Sequence, residues 1–572
     1  MKIAVHITHE SVKKIGGIGS VLSGVCNLQS YKDFYEKTVF YGPIFDMPTE
    51  TIGHLGKSGE LLYSSHDQYD RFNYRELLGE IVSKYNIEVV YGKRKLVSEF
   101  DITKHNVVEV INIGIHKINH NEVEKFKYAL WKNFGIKSHL YENNWDYEQY
   151  LRIGIAFLEI LEKLYGRDAE YYHFSHEYMG VPSVLSVLMS ARKHKTVFVA
   201  HEVTTARSLV EAMPGHDISF YNILKKAKER KSLETVFGSQ EHNYRSELIK
   251  RATNCDHIFA VGDKAKEEYL FLVPETPPDK IKVVYNGVTA KEVSFEQKLR
   301  SRRNIERYID TLFNFTPDVI FTHVTRLVIS KGIWRDVDLL YFLDEIFDAN
   351  DLKGIYILLS TLIATGRPPE DIFRIEGEYG WPVLHREGWP DLIGAEKEIY
   401  DSLQVFNSRS KSIKGVFINQ FGFERTSCGK RVPENMEFED LRIASDAEFG
   451  FSIYEPFGIS QIETIPFGGV SVLSSSCGAA AFLQKKFKDA QIKPYYILDY
   501  IAAGKKLSYN ALKNLTKQKY REMERQILAK HAKNIFEILA LTNSKREEYL
   551  LNAQKYRDKI SWDSSSQDYV FC

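Results

Sequence analysis

Short apolar, β-branched runs alternate with longer amphipathic stretches along the first half of the chain. Several runs are apolar at consecutive positions, which is typical of parallel strands buried on both faces. Between them, residues 151–166 place apolar side chains at helical spacing. The runs lie at 2–8, 37–42, 87–92, 107–115, 195–202, 257–262 and 280–287. This alternation predicts a doubly wound sheet.

A second series of apolar runs follows a charged stretch of helical spacing at 288–315. Its runs lie at 317–327, 353–361, 414–422, 450–456 and 469–476. We therefore predict an α/β protein with two Rossmann-like, doubly wound domains that face a central cleft, where ligands of such folds bind. The predicted ranges are an N-terminal domain at 1–290, a second domain at 291–545 with a helical insertion at about 365–413, and a C-terminal helix at 546–572.

Composition narrows the functional classes. At 572 residues the chain is too long for one core. Lys plus Arg and Asp plus Glu number 76 each, so no net field favours nucleic acid or an anionic membrane as a partner. The five cysteines form no CxxC pair, which fits a reducing cytosol. We expect no signal sequence, no membrane helix and a cytoplasmic location.

A glycine-rich stretch, "KKIGGIGSVLSGV", follows the first predicted strand at 13–25. Gly16 and Gly17 precede a helix predicted to begin near Ser20, so their amides could approach a phosphate at the positive end of that helix. A flexible connecting loop would have the same glycines. A nicotinamide-binding loop fits poorly, because Leu22 replaces the last glycine of GxGxxG.

The first loop of the second domain carries two cations. In "HVTRLVISKG", residues 323–332, Arg326 and Lys331 flank a short turn after a predicted strand. Arginine offers a planar fork of donors and lysine a mobile point charge, a suitable pair for a diphosphate. Two cations on a solvated surface would look the same.

The segment "EPFGISQIE" at 455–463 places two carboxylates around a turn. Glu455 ends a predicted strand, and Glu463 lies about one turn inside a predicted helix. The intervening amides, at Gly458, Ile459 and Ser460, would point toward the cleft. A capping carboxylate followed by an ordinary helical glutamate is the alternative interpretation.

Two histidines follow predicted strands of the first domain, and each precedes a glutamate. They are His176 in "SHEYMG" and His201 in "HEVTTAR". Such histidines are often structural, and no third ligand with suitable spacing accompanies them, so we expect no metal and no cofactor.

These motifs, in this order, resemble those of retaining glycosyltransferases with the GT-B fold. The K-x-G-G, R-x4-K and E-x7-E patterns resemble the glycogen and starch synthases, and most of all the animal and fungal glycogen synthases. Further likenesses are Glu10 four residues before Lys14, His201 six before Arg207, and "SFYNIL" at 219–224. The tail "ISWDSSSQDYV" resembles a GT-B helix that returns to the first domain. Tyr178 stands where that group has tryptophan.

The resemblance implies transfer of a sugar, most simply glucose from UDP-glucose or ADP-glucose, to an α-glucan without a metal ion. Two alternatives stay open: an enzyme with a small, disaccharide-forming acceptor, and a non-catalytic carbohydrate-binding protein. A homo-oligomer is left open as well. The resemblance also implies roles for the residues named above. The diphosphate of the donor would be bound by Arg326, Lys331 and the amides of Gly16 and Gly17, and its ribose by Glu463. Glu455 would lie near the reacting carbon, the sugar would contact His176 and the amides of Gly458, Ile459 and Ser460, Lys14 would contact phosphate or acceptor, and His201 and Arg207 would lie in the cleft.

Overall fold

The computed structural model describes residues 1–570 apart from 15, 46–53, 57, 100, 191, 228–230, 290, 364, 365 and 387–390. The chain forms two compact units. Unit 1 comprises Met1–Ala206, Lys228–Asn286 and Ser565–Cys572, and unit 2 comprises Arg207–Ala227 and Gly287–Ser564. Among the described residues, no helix is long and apolar enough to cross a membrane.

The elements follow one another as strands and crossover helices. The strands are β1 (Lys2–Ile7), β2 (Lys37–Pro43), β3 (Gly59–Ser64), β4 (Tyr69–Asp70), β5 (Glu88–Val97), β6 (His105–Gly114), β7 (Glu170–His176), β8 (Lys195–Ala200), β9 (His257–Ala260), β10 (Ile281–Val283), β11 (Val319–Val324), β12 (Gly354–Leu359), β13 (Ile413–Ile418), β14 (Ala447–Gly450), β15 (Val470–Ser474) and β16 (Tyr495–Leu498).

The α-helices are α1 (Gly17–Val25), α2 (Gln29–Phe34), α3 (Tyr74–Tyr85), α4 (His120–Phe134), α5 (Trp145–Ile153), α6 (Phe157–Tyr165), α7 (Glu177–Met189), α8 (Thr204–Ala212), α9 (His216–Lys226), α10 (Leu233–Phe237), α11 (Tyr244–Arg251), α12 (Asp263–Leu272), α13 (Phe295–Phe313), α14 (Trp334–Ala349), α15 (Pro369–Tyr379), α16 (Ala395–Arg409), α17 (Arg425–Cys428), α18 (Phe438–Ala444), α19 (Gly478–Lys486), α20 (Tyr500–Ala503), α21 (Tyr509–Lys513), α22 (Lys517–Glu537), α23 (Asn543–Ile560) and α24 (Trp562–Ser565).

Unit 1 is built on a sheet of order β10-β9-β8-β7-β1-β2-β6-β5-β3-β4. Strands β10 to β6 of this order are parallel, whereas β5, β3 and β4 extend the sheet in antiparallel pairs. Only residues 98–104 join β5 to β6. A parallel crossover needs a dozen residues or more, so this connection forms a hairpin. The carboxyl ends of β1, β7 and β8 are neighbours at one edge.

Unit 2 contains a fully parallel sheet of order β13-β12-β11-β14-β15-β16. Numbered within the unit, this is 3-2-1-4-5-6, the order of dinucleotide-binding sheets. Along β11, Phe321 packs into one hydrophobic core with α14 and α22, while Ile320 packs into another with α13 and α15. Helices therefore cover both faces, and the predicted pair of doubly wound α/β domains is confirmed.

The predicted strand at 450–456 and the helix predicted after it are both wrong. Strand β14 ends at Gly450, and the chain then leaves the sheet. Instead of an α-helix, two 3-10 turns follow, at Ser460–Ile462 and Ile465–Phe467. Gly458, with φ of +95°, and Gly468, with φ of +77°, interrupt α-helical geometry. Glu463 therefore follows a 3-10 turn and does not lie inside a helix.

Two elements lie where the helical insertion was predicted. Helix α15 packs against the Ile320 side of the sheet, and α16 against the Phe321 side as the last crossover before β13. Residues 364, 365 and 387–390 of the predicted insertion lie outside the described residues.

The segment 207–227 belongs to unit 2, although the range predicted for the first domain includes it. Asp217 of this segment forms a buried ion pair with Arg335. Asn222 Nδ2 donates a hydrogen bond of 2.7 Å to the Ile501 carbonyl oxygen. These contacts attach α9 to α14 and α20.

Candidate functional site

The strand order of unit 2 reverses between β11 and β14. Strand β11 is followed in the chain by its neighbour on one side, β12, whereas β14 is followed by β15 on the other side. The two connections leave the carboxyl edge in opposite directions, and a crevice opens between them, where ligands of open α/β sheets bind. The loops at this switch point are 325–333 and 451–459.

The two switch-point loops are tied together by an ion pair. Lys331 Nζ contacts Glu455 Oε2, and the side chains are 11% and 13% exposed. The Ile453 and Tyr454 amides both donate to the Ser330 carbonyl oxygen, at 2.8 and 3.2 Å. The structure thus brings together two residues that the sequence predicted for one site.

Glycine permits this close approach of the loops. Gly332 has φ of +61°, and a Cβ built on it would lie 2.4 Å from the Phe451 carbonyl oxygen. A larger residue would therefore separate Lys331 from Glu455. Arg326, the other predicted cation, is exposed, and its side chain forms no ion pair with any described residue. It is available to an anionic ligand at the same edge.

The turn after Glu455 presents backbone donors. Gly458, Ile459 and Ser460 donate no backbone hydrogen bond to another described residue. The turn is fixed from behind by α19, because the Gly478 amide donates to the Glu455 carbonyl oxygen at 2.8 Å. A Cβ on Gly478 would lie 1.7 Å from the Pro456 carbonyl oxygen. Gly478 was not predicted as a site residue, and its only signal in the sequence is the "CGAA" that follows strand β15.

Glu463 is held by a chain of charged groups. Its Oε2 pairs with Arg442 at 2.7 Å, and Arg442 also pairs with the buried Glu448 of β14 at 3.1 Å. Glu448 Oε1 in turn accepts a hydrogen bond of 2.9 Å from the Val324 amide at the end of β11. The carboxylate predicted to bind ribose is therefore anchored to both switch-point strands. Sequence reasoning missed Arg442 and Glu448.

A buried arginine supports the site from below. The Arg335 guanidinium donates to both carboxylate oxygens of Asp217 at 2.8 and 2.9 Å, and to the Phe451 carbonyl oxygen at 2.9 Å. It also pairs with Glu524, and all three charged side chains are 0% exposed. Burial alone would lower the pKa of Arg335, but the charges of Asp217 and Glu524, together with Tyr520, hold it well above its ordinary value. These contacts hold Phe451, the first residue of the 451–459 loop that contains Glu455.

In unit 1, the two predicted histidines belong to a longer chain of hydrogen bonds. His176 Nδ1 lies 2.8 Å from His201 Nε2, and His176 Nε2 lies 2.9 Å from His6 Nδ1. His6 Nε2 is 2.8 Å from the Tyr31 hydroxyl. The three histidines lie at or near the carboxyl ends of β1, β7 and β8. Sequence reasoning gave no role to His6 or Tyr31.

The backbone beside His176 is strained. Glu177 has φ of +59°, a left-handed conformation that is rare for residues other than glycine, asparagine and aspartate. Its Oε1 accepts a hydrogen bond of 2.6 Å from the Glu202 amide, which joins the start of α7 to the loop after β8. Strain of this kind is retained where surrounding contacts hold it, often at functional sites. The histidine chain is therefore held rigidly at its outer end.

Acid should destabilise unit 1 through these histidines. Burial lowers the pKa of His6 and of His201 to about 3, and that of His176 well below its ordinary value. Unfolded histidine titrates near pH ~6.5, so below that pH the unfolded chain takes up protons that the folded one cannot. Stability should fall from about pH 6.5 toward pH 4, by roughly 1.4 kcal/mol per pH unit for each histidine. Urea unfolding between pH 7.5 and 5 measures how the free energy of unfolding depends on pH. His201→Gln should reduce this slope by the amount that corresponds to about one proton. An unchanged slope would contradict a neutral, buried His201 in the folded protein.

The remaining predicted residues have partners of their own. Lys14 Nζ pairs with Glu99 at 2.6 Å. The Gly19 amide donates to Glu10 Oε2 at 2.8 Å, so a carboxylate already lies at the first turn of α1, close to Gly16. Arg207 lies in unit 2 and pairs with Glu211 at 2.9 Å. The phosphate role of Gly16 and Gly17, and the cleft roles of Lys14 and Arg207, stay predictions. Across the described residues, no cluster of three or more His, Cys, Asp or Glu is arranged to hold a metal ion.

Comparison of the sequence with protein-family models and with curated proteins gives no match. Several solved structures have a similar fold. One, from E. coli, is described as trehalose-6-phosphate bound with UDP-2-fluoro glucose. Its sequence is 11% identical to this chain, the TM-score is 0.49, and the alignment covers 99% of this chain and 98% of that one. An α,α-trehalose-phosphate synthase from Burkholderia xenovorans in complex with glucose-6-phosphate has 12% identity, TM-score 0.48, and coverage of 99% and 98%. The catalytic domain of starch synthase IV from Arabidopsis thaliana, bound to ADP and acarbose, has 12% identity, TM-score 0.46, and coverage of 96% and 99%. Likenesses this distant assign neither family nor substrate.

Proposed function

We propose that the protein is a retaining glycosyltransferase of the GT-B type, which moves glucose from a nucleotide-sugar donor to an α-glucan, as glycogen synthases do. The observation that carries the proposal is the Lys331–Glu455 ion pair at the switch point of a parallel sheet with dinucleotide-binding strand order. The pair supports the proposal because it offers a cation suited to a phosphate beside a carboxylate suited to a developing positive charge.

The diphosphate of the donor would lie against the loop after β11. The diphosphate is anionic, so a site that binds it must supply positive charge. Lys331, partly buried, and Arg326, exposed, supply two positive charges at one edge. In a site shielded from water such charges stabilise the leaving phosphate as the bond to the sugar breaks, a preorganised electrostatic contribution that is often the largest in catalysis.

The sugar would lie over the turn after Glu455. The Gly458, Ile459 and Ser460 amides can donate to its hydroxyl oxygens, because no described backbone acceptor uses them. When Lys331 turns to the phosphate, the Glu455 carboxylate faces the reacting carbon and stabilises its oxocarbenium-like character. Glu463, oriented by Arg442, would accept hydrogen bonds from the two ribose hydroxyls. Ion pairs within unit 2 hold Lys331, Glu455 and Glu463 in position, which supports the roles proposed for these three residues.

The acceptor and the location rest on the resemblance of the motifs. We propose an α-glucan acceptor, with His176 toward the sugar, and a cytoplasmic enzyme. A panel tests both substrates: UDP-, ADP- and GDP-glucose are each incubated with glycogen, maltooligosaccharides, glucose and glucose-6-phosphate, and released nucleoside diphosphate is measured. We expect release with one base and with glycogen or maltooligosaccharides. Release only with glucose or glucose-6-phosphate would assign a small acceptor, and binding of glucans with no release would assign a carbohydrate-binding protein.

Transfer should not need a divalent metal, because Arg326 and Lys331 provide the charge that Mg²⁺ supplies in other phosphate sites. Turnover with the best donor is expected to be unchanged, within about twofold, after dialysis against EDTA. Added Mg²⁺ or Mn²⁺ serves as the matched condition. Loss of activity in EDTA that Mg²⁺ restores would contradict the metal-free mechanism.

A further inference from the structure

An unbroken series of four side chains crosses unit 1, from Tyr31 through His6 and His176 to His201. His6 and His176 are 0% exposed, while His201 is only partly buried. Every ring nitrogen of the three histidines is used within the series except His201 Nδ1, which makes no hydrogen bond to any described residue. The series therefore has one buried end and one end that can meet a ligand.

The protonation of the series is correlated. A neutral imidazole has one N–H donor and one acceptor nitrogen, so each histidine must donate in the same direction as its neighbours. Burial lowers the pKa of all three rings, which keeps them neutral at pH 7. Only two arrangements satisfy every contact: either all three carry the proton on Nδ1, or all three carry it on Nε2.

Tyr31 decides between the two arrangements. Its hydroxyl is 2.8 Å from His6 Nε2, whereas its other oxygen neighbour, Thr38 Oγ1, is 3.4 Å away and acts as donor. If His6 carried its proton on Nε2, the Tyr31 proton would be buried beside the Cys26 thiol, a weak acceptor, which is costly. Tyr31 therefore donates to His6 Nε2. The protons of His6, His176 and His201 then lie on Nδ1.

We propose that Tyr31 and His6 are positioning residues that fix His201 with its proton on Nδ1, so that unit 1 presents a neutral hydrogen-bond donor to an oxygen of a bound sugar. The ligand class rests on the proposed function, whereas the proton arrangement does not. The strained Glu177, which holds the Glu202 amide, keeps the His201 loop in register with His176. Because His201 stays neutral and keeps its proton on Nδ1, it can donate a hydrogen bond only to an oxygen that lies next to Nδ1.

Nuclear magnetic resonance tests the arrangement without any substrate. Long-range ¹H–¹⁵N spectra of deuterated protein with ¹⁵N-labelled histidine distinguish Nδ1–H from Nε2–H rings, and His6→Asn, His176→Asn and His201→Gln assign the signals. The wild type should show Nδ1–H at all three. In Tyr31→Phe, an Nε2–H signal should appear at His201, which is connected to Tyr31 only through His6 and His176. Tyr41→Phe is the control, because the Tyr41 hydroxyl donates to the Ile153 carbonyl oxygen outside the series.

The outcomes separate this inference from the proposed function. The inference would be overturned if His201 in the wild type carried its proton on Nε2 or carried two protons. It would also be overturned if the His201 signal in folded Tyr31→Phe were the same as in the wild type. If that variant does not fold, the wild-type spectrum alone decides. Where transfer is measured, Tyr31→Phe should raise KM for the sugar substrate several-fold with kcat within about threefold. If the three histidines show Nδ1–H signals but the protein has no transfer activity, the proton arrangement is supported and the proposed glycosyltransferase function is rejected.

Discussion

Replacing Lys331 by methionine should reduce turnover of the best nucleotide-sugar donor by about 10²–10³-fold, the cost typical of removing one preorganised group that stabilises developing charge. Methionine keeps most of the apolar stem of a side chain that is 11% exposed, but Glu455, 13% exposed, loses its counter-charge, so we expect a modest loss of folding stability. Most of the loss should appear in kcat, since the charge on the phosphate grows in the transition state, and a smaller part, about tenfold, in donor binding, since the ground-state diphosphate is already anionic. Release of nucleoside diphosphate under saturating donor measures it.

Lys353→Met is the matched control. Lys353 immediately precedes β12, at the opposite edge of the same sheet, and among the described residues its ammonium donates only to the Lys411 carbonyl oxygen, at 3.3 Å. The same substitution there should leave turnover unchanged. Equal losses in both variants, or a Lys331→Met enzyme as active as the wild type, would remove the phosphate role from Lys331.

Replacing Arg335 by methionine should lower the free energy of unfolding of unit 2 by about 3–5 kcal/mol, the range found when one partner of a buried ion pair is removed. Methionine would leave Asp217 and Glu524, both 0% exposed, without their counter-charge, and the Phe451 carbonyl oxygen without this donor. Because Phe451 begins the Glu455 loop, activity should fall together with stability. Urea unfolding and turnover at a temperature where the variant stays folded measure the two effects.

Two further variants show whether unpaired charge is the cause. Arg425→Met removes an arginine whose side chain is 36% exposed and paired with Glu434 at 2.7 Å, and it should behave like the wild type. Adding Asp217→Asn and Glu524→Gln to Arg335→Met should recover part of the lost stability, because the buried charges are removed with the arginine. Additive losses in the triple variant would assign the effect to packing instead.

Much of the fold could be predicted because its strands are buried on both faces. Consecutive apolar residues at 2–8, 317–327 and 353–361 mark β1, β11 and β12, and such runs need no long-range information. The family resemblance assigned Lys331 and Glu455 to one site, and both lie in loops that follow parallel strands with a shared carboxyl edge. The ion pair between them is what the structure adds.

The unpredicted features depend on contacts between distant parts of the chain. Nothing near Arg335 in sequence marks it as buried, since Asp217 and Glu524 lie far away. The apolar run at 450–456 predicts a strand because a buried loop and a buried strand have the same composition, whereas strand β14 ends at Gly450. His6 and Tyr31 were given no role from the sequence, because their contacts with each other and with His176 depend on the folded sheet.

The central claim is that the nucleotide-sugar donor binds at the switch point of unit 2. Isothermal titration calorimetry with UDP-glucose and ADP-glucose tests this claim most directly. The wild type should bind one of them, and Lys331→Met should weaken that binding at least tenfold, whereas Glu345→Gln, on the exposed face of α14, should not change it. No binding of either nucleotide sugar to the wild type, or equal affinity of wild type and Lys331→Met, would contradict a donor site between the β11 and β14 loops.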